Sequence, residues 1–268
     1  MRWNWVSGSM NSIRAWVSSS LLVGLLGLSV AAQQGTGPQP AKAEQLFALA
    51  NSTRAQVGRG RLVWDQALAD AAMKHCMRMA AEGPISHRYS GEPDLATRTA
   101  DAGAHFSIIE ENIAVGSYPG SIHQSWLDSP GHRANLLNPD IDRVGIAVVA
   151  AKGVLFAVAD YARVVPVLTE SQVEAQVGGL VRAHGISLVR DPTDARAACR
   201  LDTGLPTLAG ANTPEFVMRW QDANLDQLPS RLLENLASGR YRHAAVGSCP
   251  PRGAEGSFTV YRVAVLLY

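Results

Sequence analysis

At 268 residues the chain has room for one large domain or two small ones, because single hydrophobic cores stop growing near this size. Its 24 basic and 23 acidic side chains nearly cancel, which removes the electrostatic surplus that binding to nucleic acid or to an anionic membrane surface relies on. Two domains are expected.

The first element in chain order is a targeting signal. Arg2 and Arg14 precede an uncharged apolar run, Leu21 to Val30, followed by Ala31, Ala32 and polar Gln33. This reads as a secretory signal peptide over residues 1–32. The run is about ten residues long, against the roughly 20 a membrane-spanning helix needs, so no transmembrane segment is expected in the mature chain. Either Met1 or Met10 can begin such a signal, since Arg14 supplies positive charge in both cases. Residues 33–40 are rich in Gln, Gly and Pro and read as a linker. Export to an extracellular or periplasmic space permits disulfides, but three cysteines cannot all pair within one chain. Cys199 and Cys249 share the C-terminal half and form the candidate bridge; Cys76, beside Met73 and Met79, reads as a buried thiol.

Folded structure is expected from Ala41. Leu46, Leu49, Ala50 and Thr53 recur at helical spacing, predicting a helix from about Lys42 to Gln56 that stops before Gly58 and Gly60. Asp65 is placed to cap a second helix whose stripe of Leu68, Ala72, His75 and Met79 faces a core and which Gly83 and Pro84 end. A loop with His87 follows, then a short helix from Asp94 to Ala102. The apolar segment Phe106 to Ala114 is interrupted by Glu110 and Glu111. A helix over Ser121 to Leu127 leads through Ser129, Pro130 and Gly131 into a short helix from His132. Val144 to Ala150 and Val154 to Tyr161 flank Lys152 and Gly153, a hairpin signal. Helices followed by a strand pair predict an α+β layered domain.

The second half echoes this plan. Arg182, Gly185, Leu188 and Asp191 repeat the order of Arg54, Gly58, Leu62 and Asp65, and each series runs into an alanine-rich segment ending in Cys76 or Cys199. Pro229 to Gly247 parallels Pro130 to Val148 without a gap, setting Arg231 on His132 and Arg242 on Arg143. A degenerate internal duplication is therefore expected, with the second copy lacking a counterpart of Glu111. The uncharged stretch Val263 to Leu267 reads as a buried strand, and the two halves are expected to dock on each other.

Seven histidines are present, yet no H-E-x-x-H, C-x-x-C or G-x-S-x-G pattern occurs, so local motifs supply no zinc protease, redox pair or serine hydrolase. What the chain does carry is "ISHRY", "EENIA", "SWLDSPGHRANLLNP" and "DRVGIAV", in that order. Over Ala43 to about Arg163 this resembles the CAP superfamily of cysteine-rich secretory, antigen 5 and pathogenesis-related proteins, and in particular its bacterial exported members. The resemblance implies a three-layer α-β-α sandwich for residues 41–165, with residues 166–268 a degenerate second copy. It also implies a cleft formed by His87, Glu111 and His132, with Asn112 beside the acid and Ser129 where eukaryotic members have a second acid. Glu110 stands in place of the usual glycine and offers an alternative ligand or base. Val158, Ala159, Asp160 and Tyr161 replace the usual "T-Q-x-F", so the glutamine of that strand is lost.

Two imidazoles and one carboxylate match the composition of an open divalent-metal site, which makes His87, His132 and Glu111 candidate zinc ligands. Without metal the same groups form a hydrogen-bonded polar cluster. Trp126, Arg133 and Asn135 read as packing and bracing residues, and Asp128 as solvent-facing. The favoured function is a non-enzymatic binding module for a lipid, a peptide or a cell-wall ligand. The alternative is a metal-assisted hydrolase of peptide or cell-wall polymer with Glu111 or Glu110 as general base; the missing second acid and the lack of a recognised nucleophile weigh against it.

Overall fold

The computed structural model describes residues 36–208, 213–251 and 258–268. The export signal expected over residues 1–32, both of its candidate start residues and the first part of the linker lie outside them. The end of the expected linker proves to be part of the sheet: a short strand β1 (Gly37–Pro38) runs antiparallel to Val149 and Ala150. Helix α1 (Pro40–Gln56) begins two residues before Lys42. Proline suits that first position because its missing N–H has no partner there in any helix.

A second short strand, β2 (Val63–Trp64), leads into α2 (Gln66–Glu82). Its cap is the one expected: the Asp65 side chain accepts from the Leu68 N–H at 3.0 Å, filling one of the orphan donors of a helix start. Leu68, Ala72, His75 and Met79 all lie on its buried face. Helix α3 (Leu95–Asp101) is capped likewise, Asp94 accepting from the Thr97 N–H. Strand β3 (Phe106–Gly116), helices α4 (Pro119–Asp128) and α5 (Pro130–Leu137), and the hairpin β4 (Arg143–Ala151) and β5 (Val154–Val164) complete this half. Lys152 and Gly153 turn the hairpin with φ of 53° and 78°, the pair of positive values that a two-residue type I′ connection requires.

The sheet runs from β4 through β5 to β3, all antiparallel, and the free side of β4 is shared by β1 and, in parallel, β2. Helices α1, α4 and α5 cover one face around Leu46, Trp126, Leu136 and Tyr161. Helices α2 and α3 cover the other, around Met79, Val158 and Phe106. This is an α+β three-layer sandwich. Trp126 fills the space between helix and sheet as expected, fully buried, with Nε1 donating to the Ile113 carbonyl at 3.1 Å. Beneath α2 the sheet carries Gly145, where a Cβ would lie 2.0 Å from the Ala69 nitrogen and 2.2 Å from the Leu68 carbonyl carbon; the first turn of α2 sits directly on its backbone.

The second half comprises α6 (Glu170–Ala183), β6 (Ser187–Leu188), α7 (Thr193–Cys199), β7 (Phe216–Asp222), α8 (Ser230–Ala237), β8 (His243–Cys249) and β9 (Tyr261–Leu267). Its strands lie in the order β6-β8-β9-β7, with β6 parallel to β8 and the other pairs antiparallel. Helices α6 and α8 share one core with this sheet and α7 the other. The stretch Val263 to Leu267 lies in β9, a strand buried along its whole length. Cys199 and Cys249 are joined, S–S 1.99 Å, closing a 50-residue separation, while Cys76 is free and buried with its thiol pushed up to about 12, mainly by that burial.

The halves meet at one corner. The Val165 N–H donates to the His105 carbonyl at 2.9 Å, the Thr259 N–H donates to the Phe106 carbonyl at 2.8 Å, and the rings of Phe106 and Phe258 meet edge to face at 5.2 Å. Among the described residues no helix is long and apolar enough to cross a membrane.

Candidate functional site

Strand β3 is the open edge of its sheet, and its two-residue period turns Glu111 toward the α2 and α3 layer. His87 approaches from the loop after α2. His132 belongs to the first turn of α5, on the opposite side of the sheet, and meets His87 because no further strand lies beyond β3. Three hydrogen bonds fix α5 against this edge: Asn112 Nδ2 to the His132 carbonyl at 2.9 Å, and Asn135 Nδ2 to the Glu111 carbonyl at 3.1 Å and to Asn112 Oδ1 at 3.0 Å. The rings of His87 and His132 stand 6.3 Å apart, tilted by 46°.

Below them lies a buried charge network. Glu111, 6% exposed, accepts from His87 Nδ1 at 2.7 Å and from Arg98 Nη2. Arg98 also donates Nη1 to the His87 carbonyl at 3.3 Å, so one side chain of α3 fixes both the acid and the loop carrying the first imidazole. Fully buried His75 donates Nδ1 to Glu92 at 2.7 Å. Its Nε2 lies 3.0 Å from the Ser86 carbonyl, which ties α2 to the loop that carries His87. Burial works to raise the Glu92 carboxyl, but hydrogen bonds from His75 and the Tyr89 N–H outweigh it and the net shift is downward. His132 is lowered, first by burial and then by the neighbouring His87.

Asp160 on β5 stands directly across from Glu111 in the ladder. It is fully buried, and neither of its oxygens reaches a hydrogen-bond donor among the described residues. Its carboxyl is pushed well above the ordinary range, by burial first and by the Glu111 charge second. A carboxyl raised in the folded state contributes stability that is complete below its unfolded value, about 3.9, and is lost as pH rises through the folded value. Asp160→Asn keeps the shape and offers Glu111 an N–H. The variant is expected to gain on wild type by about 1–2 kcal/mol at neutral pH, the difference opening as pH rises from 4. Melting curves of both proteins across pH 4–8 check this, and a difference that stays flat or closes with rising pH rejects it.

The expected trio His87, Glu111 and His132 is thus brought together, and Asn112 braces it from the far side of the strand. Asn135 does the bracing expected of the pair Arg133 and Asn135; Arg133 is exposed. Ser129 caps the start of α5 without a side-chain capping bond, and its hydroxyl joins none of the hydrogen bonds around Glu111. Glu110 requires a correction. As the strand neighbour of Glu111 it points to the opposite face, where it accepts from Asn138 Nδ2 at 2.8 Å, so it is neither an alternative ligand nor a base for this cleft.

The zinc expectation also meets an obstacle. Both Glu111 oxygens are engaged, one by an imidazole N–H and one by a guanidinium whose positive charge opposes a cation. Among the described residues no group of three or more His, Cys, Asp or Glu is arranged to hold an ion. His87, Glu111 and His132, so engaged, do not fit a three-ligand metal site.

Four members of the network were not legible from the sequence. His75 reads there as one more member of a core stripe. Arg98, Glu92 and Asp160 carry no motif, and only their convergence on Glu111 or His75 distinguishes them.

The model of the CAP family, described as the cysteine-rich secretory protein family, matches residues 47–161. The chain is 32% identical over 111 residues to the uncharacterized membrane protein YlbC of Bacillus subtilis (strain 168), a match spanning 41% of this chain and 32% of that one. It is 26% identical over 107 residues to the uncharacterized protein YkwD of the same organism, spanning 40% and 42% respectively. The chain therefore covers well under half of either curated relative. Among solved structures, an extracellular protein containing a SCP domain from Bacillus anthracis str. Ames is similar at 31% identity, with 47% of this chain and 41% of that chain covered and a TM-score of 0.43.

Proposed function

We propose, from the premise that residues 47–161 are a CAP domain, that this protein is an exported binding module whose His87/His132 cleft takes a ligand rich in hydroxyl and amide groups. A peptide or a cell-wall polymer has that chemistry. The observation that carries this reading is the pair of imidazoles facing each other above an engaged carboxylate. Glu111 engages Nδ1 of His87, which leaves Nε2 as the ring nitrogen available to a ligand. His132, held toward its neutral form by burial, supplies one donor and one acceptor. Such a pair matches hydroxyls and amides better than the acyl chain of a lipid. Export rests on the apolar run at residues 21–30 and its flanks.

The metal-assisted hydrolase is the weaker reading, because a general base must be within reach of water, and Glu111 is buried with each oxygen already accepting from His87 or Arg98. Co-sedimentation with peptidoglycan and with unfolded protein, comparing wild type with a His87→Ala/His132→Ala double variant, tests the proposal. Retention is expected to fall at least tenfold in the variant, with no soluble fragments released by either protein. Equal retention rejects the cleft as the binding site, and fragments lost in Glu111→Gln favour the hydrolase. Zinc calorimetry on the same two proteins reads the metal separately: an isotherm present only in wild type returns His87 and His132 to a ligand role.

Residues 166–268 are best understood as a degenerate second copy. This is supported by the shared strand order, by the parallel pairs β2/β4 and β6/β8, and by Gly247, where a Cβ would lie 2.2 Å from the Arg196 nitrogen as Gly145 lies under Ala69, three positions along from Ala244, the residue that the gap-free alignment sets on Gly145. Across the first sheet Gly145, Asp160 and Glu111 stand in line; across the second Gly247, Ala264 and Arg219 do, and Arg219 and nearby Arg262 donate their Nε atoms to the Ala198 and Cys199 carbonyls at the end of α7. Those arginines complete a helix terminus and leave no acid for a cleft.

A further inference from the structure

The edge of the first sheet opposite the histidines carries a cavity that plays no part in the cleft. Strand β1 covers β4 at residues 149–150 and β2 covers it at residues 143–144, so the stretch around Ile146, paired with β5 on its other side, lies between them without a strand neighbour on this side. The gap opens between α1 and α2 into a space of about 480 Å³, within the range of small-molecule pockets. Ile146 and Met73 line its apolar wall, together with the rings of Phe47 and Trp64. Those rings meet edge to face, centroids 5.6 Å apart and planes at 85°, so the aromatic wall combines two ring planes nearly at right angles. Glu44 on α1 and Asp70 on α2, both exposed, stand at the rim, and none of the lining residues is basic.

We infer that this cavity is a binding site for a small organic cation, a quaternary or primary ammonium on an apolar body. The three features call for the same ligand. Aromatic faces attract cations through their quadrupole, by about 0.5–1 kcal/mol at exposed sites and more where water is excluded. Two carboxylates with no basic neighbour in the lining leave the cavity mouth negative. The apolar interior rewards a hydrocarbon body and rejects a bare metal ion, which needs a shell of hard oxygen ligands. Asp70 is already oriented, with Oδ1 accepting from Gln66 Nε2 at 2.7 Å, and its second oxygen is left for the ligand. A neutral apolar molecule gains nothing from the rim, and an anion is repelled by it.

Calorimetric titration of the full chain with benzyltrimethylammonium, benzyl alcohol and benzenesulfonate tests the assignment. The ammonium is expected to bind with submillimolar affinity, at least tenfold tighter than the alcohol, and the sulfonate not at all. Glu44→Gln/Asp70→Asn, both at exposed positions and checked for an unchanged melting temperature, is expected to weaken the ammonium about tenfold and leave the alcohol as it was. His87→Ala/His132→Ala is expected to bind all three probes like wild type, which keeps this site separate from the cleft. The inference is overturned if the ammonium fails to bind at millimolar concentration, if the alcohol binds as tightly, or if the carboxylate variant binds the ammonium with full strength.

Discussion

Glu111→Ala is expected to lower the stability of the folded protein by about 3–5 kcal/mol, the usual cost of deleting one partner of a buried ion pair. Arg98, 8% exposed, already has an Nε without a hydrogen-bond partner among the described residues, and the substitution strips Nη2 of its acceptor as well. It also frees His87, whose Nδ1 has no other hydrogen-bond partner among the described residues. Urea denaturation measures the loss. Glu111→Gln, which keeps an acceptor of the same shape but removes the charge, is expected to cost about half as much. A Glu111→Ala cost below about 1 kcal/mol means that the guanidinium finds solvent without difficulty and that the network is a surface feature.

Gly145→Ala is expected to be comparably severe, about 3 kcal/mol or more, by a different route. Its Cβ would stand 2.0 Å from a backbone nitrogen of α2, and reaching ordinary contact distance requires α2 to move on the order of 1.5 Å. Overpacking against backbone has no flexible side chain to absorb it. Because α2 carries His75 and leads into His87, the displacement is also expected to weaken retention on the cleft ligand about tenfold. Gly131→Ala is the matching control: a Cβ there meets nothing within 4 Å, in a helix where alanine is favoured, although His132 is its neighbour. Thermal melts of both variants check the contrast, and equal melting temperatures reject the close-packing argument.

Much of the architecture was legible because local chemistry carried it. The Asp65 cap, the glycine and proline at 83–84 and the hairpin at 152–153 each announce an element boundary through residues a few positions apart. His87, Glu111 and His132 were legible through the segments around them. Legibility failed where a side chain's role depends on which way a strand faces. Adjacent Glu110 and Glu111 look equivalent in sequence, and only assigning residues 106–116 to an edge strand sends them to opposite layers. Arg98 and Asp160 failed for a related reason. A charged residue within a short helix or an apolar strand reads as surface or as an anomaly until a partner from a distant element is brought beside it. The first strand was missed because two residues of a Gly/Pro stretch carry no periodicity to detect.

The chain departs from the first domain at Val165 and returns at Thr259 to the adjacent residues His105 and Phe106. Those two anchor points lie five and six positions along β3 from Glu111, about 17–20 Å at the usual rise per residue. A pull on the C-terminal half is therefore borne first by that joint, at the N-terminal end of β3, whereas Glu111 stands at the middle of the strand. A ligand taken by the proposed cleft would thus be held half a strand away from the point at which the rest of the molecule is attached.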